Sequence, residues 1–168
     1  MSGHVTPVSA TLHDGVAPLS FLLGRWAGEG EGSYPTIEPF RYGEEITLSH
    51  VGKPFLAYAQ RSWSLDDGRP LHAETGYWRC PSPARVELVV AHPTGVVEVS
   101  EGPLSKTSLV LSSTTMAGTG SAKEVTAVMR HITVEEDRLD YELDMAAVGV
   151  SLTGHLRGVL HRVSTPSG

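Results

Sequence analysis

The chain of 168 residues holds a single cysteine, Cys80, so no intramolecular disulfide can brace it, and a disulfide-stapled secreted scaffold is excluded. Cys80 precedes Pro81 and has no C-x-x-C partner, which removes the usual redox or zinc pair. Basic residues are few, 13 Lys and Arg against 19 Asp and Glu, and they never form a run. With a net charge of −6, the chain offers no phosphate-binding face, and nucleic acid is not an expected partner. No apolar stretch approaches the roughly 18 residues of a membrane-spanning helix, and the start MSGHVTPVSATLHDG lacks a basic segment followed by an apolar one. The expectation is a soluble, cytoplasmic protein. G-x-S-x-G and H-E-x-x-H are absent, and the eight histidines are dispersed without metal-ligand spacing.

Helical periodicity is nearly absent as well. The one candidate helix is Pro18–Leu23, with Pro18 suited to a first helical position and Gly24 ending the run. Such a segment would serve as a plug over one end of a barrel or as a plain connector. The residues before it, 1–17, and the tail 164–168 are small and polar and read as flexible ends of one domain spanning 18–163.

What the chain does have is hydrophobic content of 40% against 19% charged, an ordinary globular balance, arranged as runs of Val, Thr, Tyr, Trp and Leu between turn signals. Ten runs fall at about 25–32, 37–50, 54–65, 70–79, 84–91, 94–101, 103–113, 122–134, 137–148 and 151–163. Gly52-Lys53-Pro54, Asp66-Asp67-Gly68, His92-Pro93-Thr94-Gly95, Gly102-Pro103, Glu135-Glu136-Asp137 and Val148-Gly149 reverse the chain between them. Short connections make neighbours antiparallel, and with no helices to cover a sheet the strands either close or stack as a sandwich. The reading is an all-β, ten-stranded antiparallel up-and-down barrel with a short N-terminal helical segment. Ten strands exceed the roughly eight whose side chains fill a barrel, so a cavity for a flat apolar ligand is expected. In Tyr141–Ala147, Tyr141, Leu143, Met145 and Ala147 share the inward face, while Glu142 and Asp144 point out.

Gly24-Arg25-Trp26-Ala27-Gly28-Glu29-Gly30 is a G-x-W-x-G-x-G pattern, followed by Gly32, with the glycines and Trp26 on one strand face. A face without side chains is one that another strand or a ligand approaches closely. No helix follows it, so it is not a dinucleotide-binding loop. Glu44-Glu45 and Glu74 raise a paired-carboxylate hydrolase reading, which is set aside because acid–base catalysis needs partners within reach and the sequence supplies none.

The glycine motif together with Gly52–Tyr58, Leu71–Tyr77 and Leu152-Thr153-Gly154-His155-Leu156 resembles the nitrobindin family over roughly residues 18 to 163. The resemblance implies a ferric haem b, one per chain, seated at one end of the barrel. It further implies isomerisation of peroxynitrite to nitrate and, in the ferrous form, nitric oxide binding. His155 matches the axial histidine of the motif, and imidazole is a good iron ligand. His161 shares its strand parity and is the competitor on spacing alone. Simple alternation places Leu152, Leu156 and Leu160 on one face and His155, Arg157 and His161 on the other, so His155 faces inward only if Gly154 or Gly158 hosts a bulge. Met145, on the preceding strand with inward parity, would touch a porphyrin or simply pack the core. His72 is the family-matched residue for the opposite side of the pocket, or a structural histidine. Thr36 and Lys123 sit where a hydroxyl and an ammonium would meet haem propionates, or face solvent. The outside of the barrel leaves room for a homodimer. The rival reading is a haem-free carrier of a small hydrophobic molecule, and a third is a filled, purely structural barrel.

Overall fold

Residues 5–163 are described by the structure, a computed structural model; of the ends expected to be flexible, 1–17 and 164–168, residues 1–4 and 164–168 lie outside the described residues, while Asp14 to Ala17 begin a helix in which Val16 is fully buried. Ten antiparallel strands run β1 Gly24–Tyr34, β2 Ile37–Ser49, β3 Leu56–Ser64, β4 Pro70–Ser82, β5 Arg85–Ala91, β6 Val96–Ser105, β7 Ser108–Gly118, β8 Val125–Glu135, β9 Arg138–Ala147 and β10 Val150–Val163. Each pairs with its sequence neighbours, and β1 pairs with β10, so the barrel is closed and no sheet edge is exposed. The expected architecture is therefore the observed one, strand by strand. Among the described residues no helix is long and apolar enough to cross a membrane.

Two local expectations are corrected. Gly102-Pro103 does not turn the chain but lies within β6, and the reversal comes at Lys106, whose φ is +55°. Gly102 is tolerated there because the Val110 carbonyl lies where its Cβ would be, and Pro103 occupies a stretch where the β6–β7 ladder is interrupted between Glu101 and Leu104. The helix begins earlier than expected: it is a 3₁₀ helix, Asp14–Leu22, opened by the Gly15 amide donating to His13 Nδ1 at 2.9 Å, and Pro18 is inside it rather than first.

In a 3₁₀ helix residues three apart eclipse, and Val16, Leu19 and Leu22 are accordingly the buried stripe. They join Trp26, Leu48, Leu56, Trp78, Leu88 and Leu160 in a packed core at one end of the barrel, so the plug reading holds. Trp26 Nε1 donates to Leu22 O at 2.9 Å, and the Arg162 guanidinium stacks 4.1 Å from the Trp26 ring, locking the plug to β1. Along β1 the bare glycine face is filled by aromatic rings from β2: a Cβ on Gly30 would stand 2.3 Å from Tyr42 Cζ, and one on Gly32 2.2 Å from Phe40 Cζ. The close approach that the glycines allow is thus made by aromatic rings at Gly30 and Gly32 and by the β10 backbone at Gly28, where the Val159 carbonyl lies 2.1 Å from the position of a Cβ. At the other end the barrel is not filled.

Candidate functional site

The unfilled end is a cavity of about 900 Å³ whose mouth is ringed by the β1–β2, β3–β4, β5–β6, β7–β8 and β9–β10 connections. Its wall is largely apolar, with Phe40, Ile46, Leu71, Val128, Leu143 and Leu156 among the lining residues. Tyr141, Leu143, Met145 and Ala147 all line it, as alternation along β9 requires.

His155 reaches this cavity through an irregularity in β10. The β9–β10 register passes from Gly154↔Asp144 to Leu156↔Leu143, so His155 is an extra residue without a partner on β9. His155 and Leu156, adjacent in sequence, both line the cavity. Strict alternation is thereby broken: Leu152 is exposed rather than inward with Leu156 and Leu160. His161, opposite Ala27 on β1, is exposed and does not line the cavity.

The ring of His155 is fixed on one nitrogen only. Nδ1 lies 3.0 Å from the Ser33 carbonyl, and because a carbonyl can only accept, Nδ1 carries the hydrogen. Nε2 keeps its lone pair, with no partner among the described residues. Burial lowers the pKa of His155 and outweighs the Ser33 hydrogen bond, which raises it; the nearby His72 lowers it further. The neutral, ligating form is therefore favoured. Tyr34, which the sequence reading did not single out, packs edge-on against the imidazole at 5.3 Å. Its hydroxyl accepts from the Ala147 amide at 2.9 Å and lies 3.1 Å from Met145 O, tying β1 to the end of β9 beside the Val148-Gly149 turn. Both turn residues have positive φ, the two-residue hairpin geometry that sets β10 against β9.

The other expected residues gather around the same space. Met145 pairs with Thr153 and Val128 and faces inward; His72 on β4 lines the wall; Thr36, in the β1–β2 turn, and Lys123, in the β7–β8 connection, are exposed at the mouth. Sequence reasoning missed the polar floor beneath them. Arg130 on β8 binds both oxygens of Glu74 at 3.1 Å and both of Glu98 at 2.7 and 3.0 Å. Tyr58 donates to Glu74 at 2.8 Å, Ser100 to Glu98 at 2.7 Å, and His92 Nε2 lies 3.1 Å from Glu98. Burial alone would push the Glu98 carboxyl up, but the Arg130 charge and the His92 and Arg130 hydrogen bonds overcome it and hold it at about 2. Glu74 is likewise held well below the usual carboxylate range, chiefly by Arg130 acting against burial. Glu44 has no such cation against it. Burial raises it to about 7, partly offset by hydrogen bonds from Tyr141 and Gln60. Glu45, its neighbour, points out to Arg25 and Arg61, so the two carboxylates do not form a pair.

A preoriented imidazole in a largely apolar-walled cavity of this size is what a flat, iron-bearing macrocycle requires, and the residues fit haem. Fold and site together define a ligand-binding β-barrel of the haem-protein class. A family profile described as "THAP4-like, heme-binding beta-barrel domain" matches residues 15–162. The chain is 53% identical over 155 residues to "Peroxynitrite isomerase 1" of Mycolicibacterium paratuberculosis (strain ATCC BAA-968 / K-10), covering 90% of this chain and 96% of that protein. It is 49% identical over 158 residues to "Peroxynitrite isomerase" of Nocardia farcinica (strain IFM 10152), covering 92% and 94%. The crystal structure of Rv2717c from M. tuberculosis superposes with a TM-score of 0.86 at 45% identity, over 92% of this chain and all of that one. The chain belongs to the THAP4-like haem-binding β-barrel family.

Proposed function

We propose that the protein is a haem-dependent peroxynitrite isomerase that holds one haem b through His155 Nε2. The observation that carries this reading is the bulged His155 on the cavity wall, hydrogen-bonded through Nδ1 with Nε2 free of a partner among the described residues, in a chain half identical to proteins of that name. Bound through His155, a ferric haem would supply the iron chemistry that converts peroxynitrite to nitrate, with the chain's residues holding it in the cavity.

The chain's own residues orient and shield. The Ser33 carbonyl fixes the His155 tautomer and makes the ring a stronger donor. Met145 and Leu156 give an apolar seat for the macrocycle, and His72 bounds the space from the β4 wall. Lys123 and Thr36, at the mouth, are suited to propionates, and the Lys123 ammonium also draws an anionic substrate inward. The same pocket with ferrous haem would accommodate nitric oxide. The haem-free carrier reading leaves the preorganised His155 without a task.

Stopped-flow decay of peroxynitrite with haem-loaded protein tests the proposal. Decay should accelerate in proportion to protein and yield nitrate almost exclusively. Decay no faster than with an equal amount of free haem would overturn it.

A further inference from the structure

The cavity holds a second set of ligating atoms that does not involve His155. His72 Nε2, His92 Nδ1 and Glu74 Oε1 face one another, separated by 3.1 Å between the two nitrogens and 3.7 Å from each nitrogen to the oxygen. The 3.7 Å separations are longer than hydrogen bonds, so Glu74 Oε1, which accepts from Arg130 Nη2 at 3.1 Å, has room for a cation on the side of the two rings. The point equidistant from the three atoms lies about 2.0 Å from each, the distance at which imidazole nitrogen and carboxylate oxygen bind zinc. Among the described residues this is the one group of three such side chains close enough to hold an ion.

The surroundings prepare these atoms for a cation. His92 Nε2 is 3.1 Å from Glu98 Oε2, and Arg130 Nη2, at 2.7 Å from that oxygen, keeps the carboxylate anionic. A carboxylate can only accept, so the His92 hydrogen is on Nε2 and the Nδ1 lone pair is aimed at His72. A carboxylate behind a ligating imidazole is the arrangement that orients histidines in metal sites. Glu98 is fully buried and further held by Ser100, so His92 cannot easily turn away. In the metal-free chain His72 Nε2 therefore donates to His92 Nδ1 at 3.1 Å, and a cation replaces that hydrogen once His72 carries its own on Nδ1. Charge favours the same outcome: Glu74 and Glu98 carry two negative charges against the one positive charge of Arg130, leaving one uncompensated.

We infer that His72, Glu74 and His92 form a second metal site in the cavity wall, binding a first-row divalent cation such as Zn²⁺ with a fourth position open to the cavity. Two imidazoles and a carboxylate with an open position are the ligand set of borderline divalent metals rather than of Ca²⁺ or Mg²⁺. The inference does not rest on haem, since none of its ligands is His155.

Calorimetric titration of the chelator-washed full chain with Zn²⁺ tests it, since a chelator wash leaves any haem iron in place. One Zn²⁺ per chain should bind. His72→Ala and His92→Ala should each weaken that event at least a hundredfold, and Glu98→Gln, which keeps the side chain's shape, should weaken it roughly 10–100-fold. Circular dichroism of each variant establishes that the barrel is intact, and His72, about one-third exposed, is the substitution least able to disturb it. Absence of a one-to-one event in the unmodified chain would overturn the inference. So would binding that survives both histidine substitutions in folded protein, which would trace it to surface groups such as His50.

Discussion

At the scale of single residues, the interior of this barrel is a contrast between two buried carboxylates that have a cation and one that lacks it. Glu98 and Glu74 are held ionised by Arg130, whereas Glu44, raised to about 7 from 4.5, is favoured in its protonated form. A carboxyl whose folded pKa is raised stabilises the fold fully below its unfolded value and loses that contribution as pH rises through the folded one. Glu44 should therefore make the protein less stable between pH 4.5 and about 7, by on the order of 3 kcal/mol across that window. Glu98 acts oppositely, adding stability above 4.5 that is lost as pH falls toward about 2. Glu44→Gln should flatten the decline above pH 4.5 in urea unfolding measured from pH 5 to 8. A decline as steep as in the unmodified chain would contradict the assignment. The sequence made His155, His72 and Met145 visible because a motif or a strand parity points to each. Arg130, Glu98 and His92 escaped because their meaning lies in tertiary contacts, 6 residues apart for His92 and Glu98 and 32 to 56 for Arg130 and its two carboxylates, which no local pattern encodes. Inward parity of Glu98 with Val96 and Ser100 on β6 was the available signal.

At the scale of elements, alternation and turn chemistry were legible and departures from them were not. All ten strands follow from runs of strand-forming residues between turn signals, yet the feature that delivers His155 to the cavity is a one-residue irregularity. Gly154 makes a bulge permissible, but where the extra residue falls depends on pairing with β9, which the β10 sequence alone does not express. The 3₁₀ helix was legible as a plug but not in its span, because a three-residue period of Val16, Leu19 and Leu22 resembles no amphipathic α-helix. Leu19 is fully buried in the packed end, away from the cavity lining. Leu19→Ala should lower stability by about 2–5 kcal/mol, read as a fall in thermal midpoint, while leaving the haem spectrum unaltered. Loss of haem without loss of stability would show that the plug acts on the cavity rather than on the core.

At the scale of the whole molecule, closure of ten strands and a plug at one end produce a rigid shell with one packed half and one open half. The shell supplies the cavity, and the bulge places His155, the proposed iron ligand, on its wall. Because His155 has no partner on β9 and its side chain makes a single hydrogen bond, to the exposed Ser33 on β1, its loss should affect binding far more than folding. The most direct measurement is the absorption spectrum of haem-loaded protein, taken for the unmodified chain, His155→Ala and His161→Ala, alongside thermal unfolding. His155→Ala should lose stable haem or show a spectrum without imidazole coordination, with an unfolding midpoint within a few degrees of the parent, and His161→Ala should match the parent in both. A His155→Ala protein that retains the parent's imidazole-ligated spectrum, above all if His161→Ala does not, would contradict the account.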